Sequence, residues 1–406
     1  MGEVLIDVTR LLSRLMAGRL PTGIDRVSLA YVGHFASRAT ALVRFGGRWV
    51  ELSREDSRVV FEALLAPDEH FNHLIRWSVG KSYVLRWRPK GGSRVLLNTG
   101  HSGLNHNSYA MQVRQINGVY KRQQRQGNAI PMRRRGLQPV FFLHDIIPIT
   151  HPEYCRPGEA EDHRRRLETM VSVGRGLIFN SVATRVALQN YAAQAGWRLP
   201  PCVVAPLAAA PLAAPATIRP MAEPYFVILG TIEPRKNHLL LLNLWRQLVE
   251  EMGDAAPRLV VIGQRGWGTE QVVDILDRCE ALRPYVMEEC RCTDKQLSTW
   301  LHHAQALLFP SFTEGFGMPL VEALSVGLPV IASDLPVFRE IAGDIPEYLD
   351  PIDGPGWKQL IQAYTDSGHP RRQAQVERMR GFSLPTWDAH FAAVEGLLGK
   401  ADGWGI

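Results

Sequence analysis

Residues 310–334, PSFTEGFGMPLVEALSVGLPVIASD, follow the apolar run ALLFP and close on a second one, PVIAS, so the stretch reads as strand, loop, helix and strand. Gly315 and Gly317 let the backbone approach a ligand without a Cβ in the way. Pro319 suits the first turn of a helix, and VEALSV continues that helix to Gly327. The free N–H groups of such a helix start carry partial positive charge and hold phosphate or sugar oxygens. Two carboxylates flank it. Glu314 stands just before the helix, and Glu322, within it, can accept both hydroxyls of a ribose when ionised. Taken alone, the same residues also suit an ordinary strand–loop–helix–strand unit in which glycine and proline are punctuation.

Outward from this stretch, apolar runs alternate with helical patterns. Upstream come YFVILGT, the helical HLLLLNLWRQLVEEM, RLVVIG, VVDILDRCEAL, YVMEE and a helix over about 294–304. This series implies a Rossmann-like domain with a parallel sheet. The first half repeats the alternation with VLIDV, a helix over about 24–36, ALVRF, RVLLNTG, a helix after Asn107, PVFFLHD, a helix over about 164–173, GLIFNS and CVVAPL. At 406 residues the chain has room for two such domains. The proline-broken residues 202–216, CVVAPLAAAPLAAPA, read as the linker and are too short to span a bilayer. Residues 53–94, with WSVGKSYVLRWRPKGG, suit a helix, a hairpin or a flap, and their tryptophans suit core or acceptor contacts.

PSFTEGFGMPLVEAL together with GLPVIASDLPVFREIAGD resembles the E-x7-E signature of retaining GT-B glycosyltransferases, specifically glycosyltransferase family 4. That resemblance implies two Rossmann-like α/β domains facing a central cleft. The expected divisions are an acceptor-binding domain over 1–215, a nucleotide-sugar-binding domain over 216–385, and a C-terminal helix over 386–406 that packs back on the first domain. It also implies Glu322 on the ribose, and Glu314 with the Phe316–Gly317 backbone on the sugar.

Arg235 and Lys236 follow the strand YFVIL and precede a helix, where two cations can meet a diphosphate. Cations are unfavourable at a helix start unless an anion is near, which favours a ligand there. The pair looks like the family's phosphate-binding Arg/Lys pair. Gly23 opens a helix in PTGIDRVSLAYVGHF and resembles the family's N-terminal glycine loop, with Thr22 where glycine is commoner; Thr22 also suits a helix cap. His144 ends the strand PVFFL, and HDIIPITHPEY resembles the HD element of family 4 mannosyltransferases, which would turn His144 to the donor sugar. His151 reads as structural. Asn180 and Ser181 match the family's Asn-Ser turn, with helix capping an equal reading. HSGLNHN, residues 101–107, suits the acceptor side of the cleft, and its two histidines are too few for a metal site.

The net charge of +6 favours anionic ligands, and the densest basic run, KRQQRQGNAIPMRRR over 121–135, suits a solvated face before it suits contact with anionic lipid headgroups. It lacks the interleaved aromatics of a nucleic-acid surface, so no nucleic-acid partner is expected. Five irregularly spaced cysteines argue against a disulfide framework. MGEVLIDVTRLL has no basic n-region or cleavage site and reads as a first strand, which sets the expectation of a cytoplasmic protein, with peripheral contact at the inner membrane face left open. No convincing Asp-x-Asp follows a strand, and the resemblance implies a family that generally needs no divalent ion, so neither cofactor nor metal is expected beyond the donor. The function expected is transfer of a hexose, mannose from GDP-mannose first, to a glycan or lipid-linked acceptor in surface polysaccharide synthesis. The alternatives are a GT-B-like epimerase or hydrolase and a non-catalytic sugar-nucleotide-binding scaffold.

Overall fold

The computed structural model describes residues 3–400 except 20, 46–47, 86–93, 107, 116, 118–135 and 211. The first domain is built on β1 (Glu3–Asp7), β2 (Ala39–Phe45), β3 (Arg48–Glu51), β4 (Arg94–Asn98), β5 (Leu137–Leu143), β6 (Gly176–Phe179) and β7 (Cys202–Val204), in the order β3-β2-β1-β4-β5-β6-β7. Only the β2–β3 hairpin is antiparallel. The second is built on β8 (Tyr225–Leu229), β9 (Arg258–Ile262), β10 (Val286–Glu289), β11 (Leu307–Phe309), β12 (Val330–Ser333) and β13 (Glu347–Leu349). Its order is β10-β9-β8-β11-β12-β13, with every neighbour parallel.

Strands such as PVFFL and YFVIL are apolar throughout because helices cover both faces of each sheet. Successive side chains of β8 alternate between two cores. Phe226 and Ile228 pack with Trp245 and Trp357 on one face, while Tyr225 and Val227 join Leu320 and Leu301 on the other. In each sheet the chain starts at the centre, lays strands to one side, then crosses to the other. This leaves a switch point between β8 and β11, and another between β1 and β4. Crevices outside the carboxyl ends of strands at such points are where open α/β sheets bind ligands.

The helix Trp387–Lys400 returns to the first domain. The His390 imidazole lies 3.1 Å from the Pro206 carbonyl oxygen and 3.0 Å from the Tyr31 hydroxyl. Phe391 stacks on His34 at 3.8 Å, and Glu395 pairs with His34 and Arg38.

The structure decides three local readings. After β1 the sequence suggests a loop, but Thr9–Met16 is a helix: the Asp7 carboxylate accepts from the Thr9 N–H at 3.0 Å, and Leu11 and Leu12 are buried. Within 53–94 the helices Arg54–Leu65 and Phe71–Leu85 replace hairpin or flap; Trp77 is exposed on the second, and Trp87 lies outside the described residues. Of the linker, Cys202–Val204 is the edge strand of the first sheet, and the rest crosses between domains. The basic run 121–135 lies outside the described residues. Among the described residues no helix is long and apolar enough to cross a membrane.

Candidate active site

The carboxyl ends of β8 and β11 hold a buried cluster of charged side chains. After β8, residues Pro234–Lys236 form a single 3-10 turn, and Asn237, in the left-handed region at φ 57, starts the helix His238–Met252. Lys236 folds back beside Gly230, and its ammonium lies 4.9 Å from the centroid of the Phe309 ring. Glu314, in the loop after β11, meets both cations. Its Oε1 accepts from Lys236 Nζ at 2.6 Å and from Ser311 Oγ at 2.8 Å, and its Oε2 lies 2.7 Å from Arg235 Nη1. The counter-anions that the Arg235–Lys236 position demands are therefore supplied in this state by Glu314, which bridges both, and by Glu233, 3.2 Å from Arg235 Nε.

Burial works to raise the Glu314 carboxyl, but Arg235, Lys236 and their hydrogen bonds outweigh it and hold the group at about 2. Burial pulls Lys236 below its ordinary value against the pull of Glu314. With Arg235 on the other oxygen, Glu314 stays ionised, and Glu233 beside Arg235 brings a second carboxylate to the two cations. Both Glu314 oxygens are occupied, and a carboxyl so acidic is a poor base and a poor nucleophile.

The glycine loop serves the other domain as well as any ligand. The Gly315 carbonyl accepts from Ser181 Oγ at 2.9 Å and Thr184 Oγ1 at 3.0 Å, both in the first domain. A Cβ at Gly315 would lie 2.3 Å from the His144 carbonyl oxygen and 2.6 Å from Asp145 Cβ. The sequence assigns this glycine to close approach of a ligand; the structure uses it for close approach of the opposing backbone. Gly317 has φ 114, and a Cβ there would meet the Phe338 ring at 2.7 Å, while the Phe316 side chain is core. Asn180 spends its amide on the His144 carbonyl at 2.8 Å. Across the same boundary the Glu340 carboxylate accepts from the N–H groups of Val182 (2.6 Å) and Ala183 (3.0 Å), capping the helix Val182–Gln194.

His144 is buried at the carboxyl end of β5, with Nε2 2.7 Å from the Thr99 carbonyl oxygen. That contact places the proton on Nε2 and leaves Nδ1 as an acceptor. Burial lowers its pKa to about 4, so the ring is neutral at pH 7. His101, at φ 59, has its own Nε2 2.7 Å from the Phe142 carbonyl oxygen, and its ring lies 5.3 Å from that of His144. Among the described residues no group of three or more His, Cys, Asp or Glu could hold a metal ion.

From the first domain, Thr22 caps the helix Gly23–Phe35 in a capping box with Asp25: the Thr22 N–H and hydroxyl lie 2.8 and 2.7 Å from Asp25 Oδ2. A Cβ at Gly23 would meet nothing within 4 Å, so the space in front of this helix start is open. At the end of this first turn Arg26 crosses the boundary: its Nη1 lies 3.1 Å from Glu322 Oε1 and its Nη2 3.1 Å from Asp294 Oδ1. Glu322 is 4% exposed, and burial, opposed by Arg26, pushes its carboxyl up to about 7. Sequence reasoning missed Arg26 and Ser311. The signal for Arg26 was present, since it is a cation in the first turn of a helix, the same anomaly that singles out Arg235 and Lys236.

Residues 214–345, which contain Arg235, Lys236, Glu314 and Glu322, match the family model of glycosyl transferases group 1. That match falls on the second domain and covers about a third of the chain. Similar proteins are the serotype-specific mannosyltransferase WbdA of Escherichia coli, 29% identical over 60% of this chain and 32% of that protein, and the O-antigen chain mannosyltransferase B of Escherichia coli, 28% identical over 53% of this chain and 58% of that protein. The chain thus spans about a third of the first relative and somewhat over half of the second. Among solved structures, HepE of Anabaena in complex with UDP aligns with a TM-score of 0.61 at 15% identity, covering 98% of this chain and 100% of that one. A UDP-forming trehalose-phosphate synthase from Burkholderia vietnamiensis aligns with a TM-score of 0.62 at 12% identity, covering 100% of both. Likeness at such identity is one of fold, and the fold is GT-B.

Proposed function

We propose that the protein is a retaining glycosyltransferase that moves a hexose from a nucleotide sugar, GDP-mannose first, to a glycan or lipid-linked glycan acceptor in surface polysaccharide synthesis. The observation that carries this reading is the cluster of Arg235 and Lys236 with Glu314 at the carboxyl ends of β8 and β11, facing the first domain. Breaking the anomeric bond leaves negative charge on a diphosphate. Cations fixed beforehand in a buried site lower that barrier without reorganising at the moment of reaction. The acceptor's proton then passes to the departing diphosphate on the same face of the sugar. Glu314, held on both oxygens, orients the two cations and forms no covalent bond. Glu322 accepts the ribose hydroxyls and the neutral His144 offers Nδ1 to a sugar hydroxyl. No protein metal ligand is required in this scheme. Mannose and a surface-glycan acceptor are supported by the names of the relatives. The base is the least constrained element, because the solved HepE complexes carry UDP and UDP-glucose.

The test is calorimetry and thermal shift against GDP-, UDP-, dTDP- and ADP-sugars with chelator present, followed by NMR of the product's anomeric centre. Selective binding of one donor, and transfer with its anomeric configuration kept, supports the reading. An inverted product refutes the retaining mechanism, release of free sugar without transfer favours a hydrolase, and binding of no donor refutes the donor site.

A further inference from the structure

Arg26 stands where the donor's ribose is assigned. The two partners of its guanidinium, Glu322 and Asp294, both belong to the second domain. The acid nearest in sequence, Asp25, is taken instead by Arg10 at 2.9 Å, Arg14 at 2.8 Å and the Thr22 cap. Glu322 is the buried partner and Asp294 the exposed one, so the Asp294 arm is screened and the Glu322 arm dominates. A cation in the first turn of Gly23–Phe35 opposes the helix dipole. The side chains of a helix lean toward its N-terminus, and a Cβ at Gly23, three residues before Arg26, would meet nothing within 4 Å.

We propose that Arg26 is a donor-binding residue that exchanges partners: the ribose hydroxyls displace it from Glu322, and the released guanidinium moves to the diphosphate. This rests on the donor-site reading above and adds a contact from the opposite domain. The exchange follows from access: Glu322 is buried and Arg26 already occupies its Oε1, so a ribose hydroxyl bound at that oxygen competes with the guanidinium for the same approach. A guanidinium presents a donor fork matched to phosphate oxygens, so its charge finds a stronger partner when the donor enters. Arg26 therefore opposes a bare nucleoside and assists a nucleoside diphosphate. It makes the site selective for phosphorylated ligands and links donor entry to the contact between domains.

The experiment titrates the full chain and its Arg26→Ala and Arg26→Lys variants with guanosine and GDP, and in parallel with uridine and UDP. Arg26→Ala is expected to weaken the diphosphate about tenfold or more while nucleoside affinity holds or improves, and Arg26→Lys to restore part of the diphosphate affinity. Equal loss for nucleoside and diphosphate would assign Arg26 a structural role and overturn the exchange. So would tighter diphosphate binding in Arg26→Ala, which would make Arg26 a competitor alone, or no change in either ligand. If the unaltered protein binds none of the four, the donor-site reading itself falls and this inference with it.

Discussion

Replacing Glu314 by glutamine keeps the side chain's shape and removes only its charge. Arg235 and Lys236, 22% and 8% exposed at their side chains, then lose the carboxylate that bridges them, and only Arg235 keeps another, Glu233. Holding a carboxyl at about 2 instead of its ordinary 4.5 corresponds to about 3 kcal/mol of preference for the ionised form in the folded protein. Breaking a buried pair by removing one partner costs a similar amount, also about 3 kcal/mol at the low end. For a domain of this size that lowers the melting transition by about 6 to 12 °C. The folded pKa is depressed, so in the unaltered protein this stabilisation is present above pH 4.5 and is lost as the pH falls toward about 2. Glu314→Gln removes that dependence. The same substitution removes the carboxylate that both cations share and leaves Glu233 on Arg235 alone, so a nucleoside diphosphate binds the variant more tightly and raises its melting temperature more than it raises the parent's. Calorimetric melting with and without GDP and UDP measures both effects. An unchanged melting temperature, or a ligand-induced shift smaller than the parent's, would refute the assignment of Glu314 as the internal counter-anion of a diphosphate site.

Donor affinity is expected to rise with pH through about 7, because burial keeps the Glu322 carboxyl protonated below that point against Arg26 on one side and beside Asp294 on the other. Affinity falls about tenfold per pH unit on the acid side, and Glu322→Gln gives a flat, weak profile by calorimetry; a parent profile flat from pH 5.5 to 8.5 would contradict this. The stability sign is opposite to that of Glu314: the folded pKa is raised, so the contribution is full below 4.5 and lost as the pH rises through about 7. Gly315→Ala puts a Cβ against the His144 carbonyl, an overpacking of about 1–3 kcal/mol that rigid-body separation of the domains relieves. Small-angle scattering should show a larger radius and turnover should drop about fivefold or more, with the helical signal kept; unchanged scattering would disprove the clamp. Phe391→Ala removes the ring that stacks on His34 and Trp387 and meets Tyr31 edge-on, and should cost about 3–5 kcal/mol, read as a lowered denaturant midpoint with unchanged slope. A shift under 1 kcal/mol would mean that the returning helix is not anchored there.

Which residues carry the site divided along a physical line. Local pattern alone determined the parallel α/β alternation of both halves, since a strand covered on both faces needs an unbroken apolar run such as PVFFL or YFVIL, and a helix start needs its glycine, proline or cap. It also determined that Arg235, Lys236, Glu314 and Glu322 are unusual, because charges beside buried strands and helix starts need partners. It left Thr9–Met16 unseen, because that helix depends on the Asp7 carboxylate and on burial of Leu11 and Leu12 under other elements. Only the tertiary structure decided which partner each charge takes. Glu314 lies 78 residues from Lys236, and Glu322 lies 296 from Arg26. Contacts over such separations are set by how two sheets and their loops pack, and no local spacing encodes them. The same holds for Gly315, whose missing side chain the sequence reserves for a ligand and the packed domains fill with the backbone of His144 and Asp145.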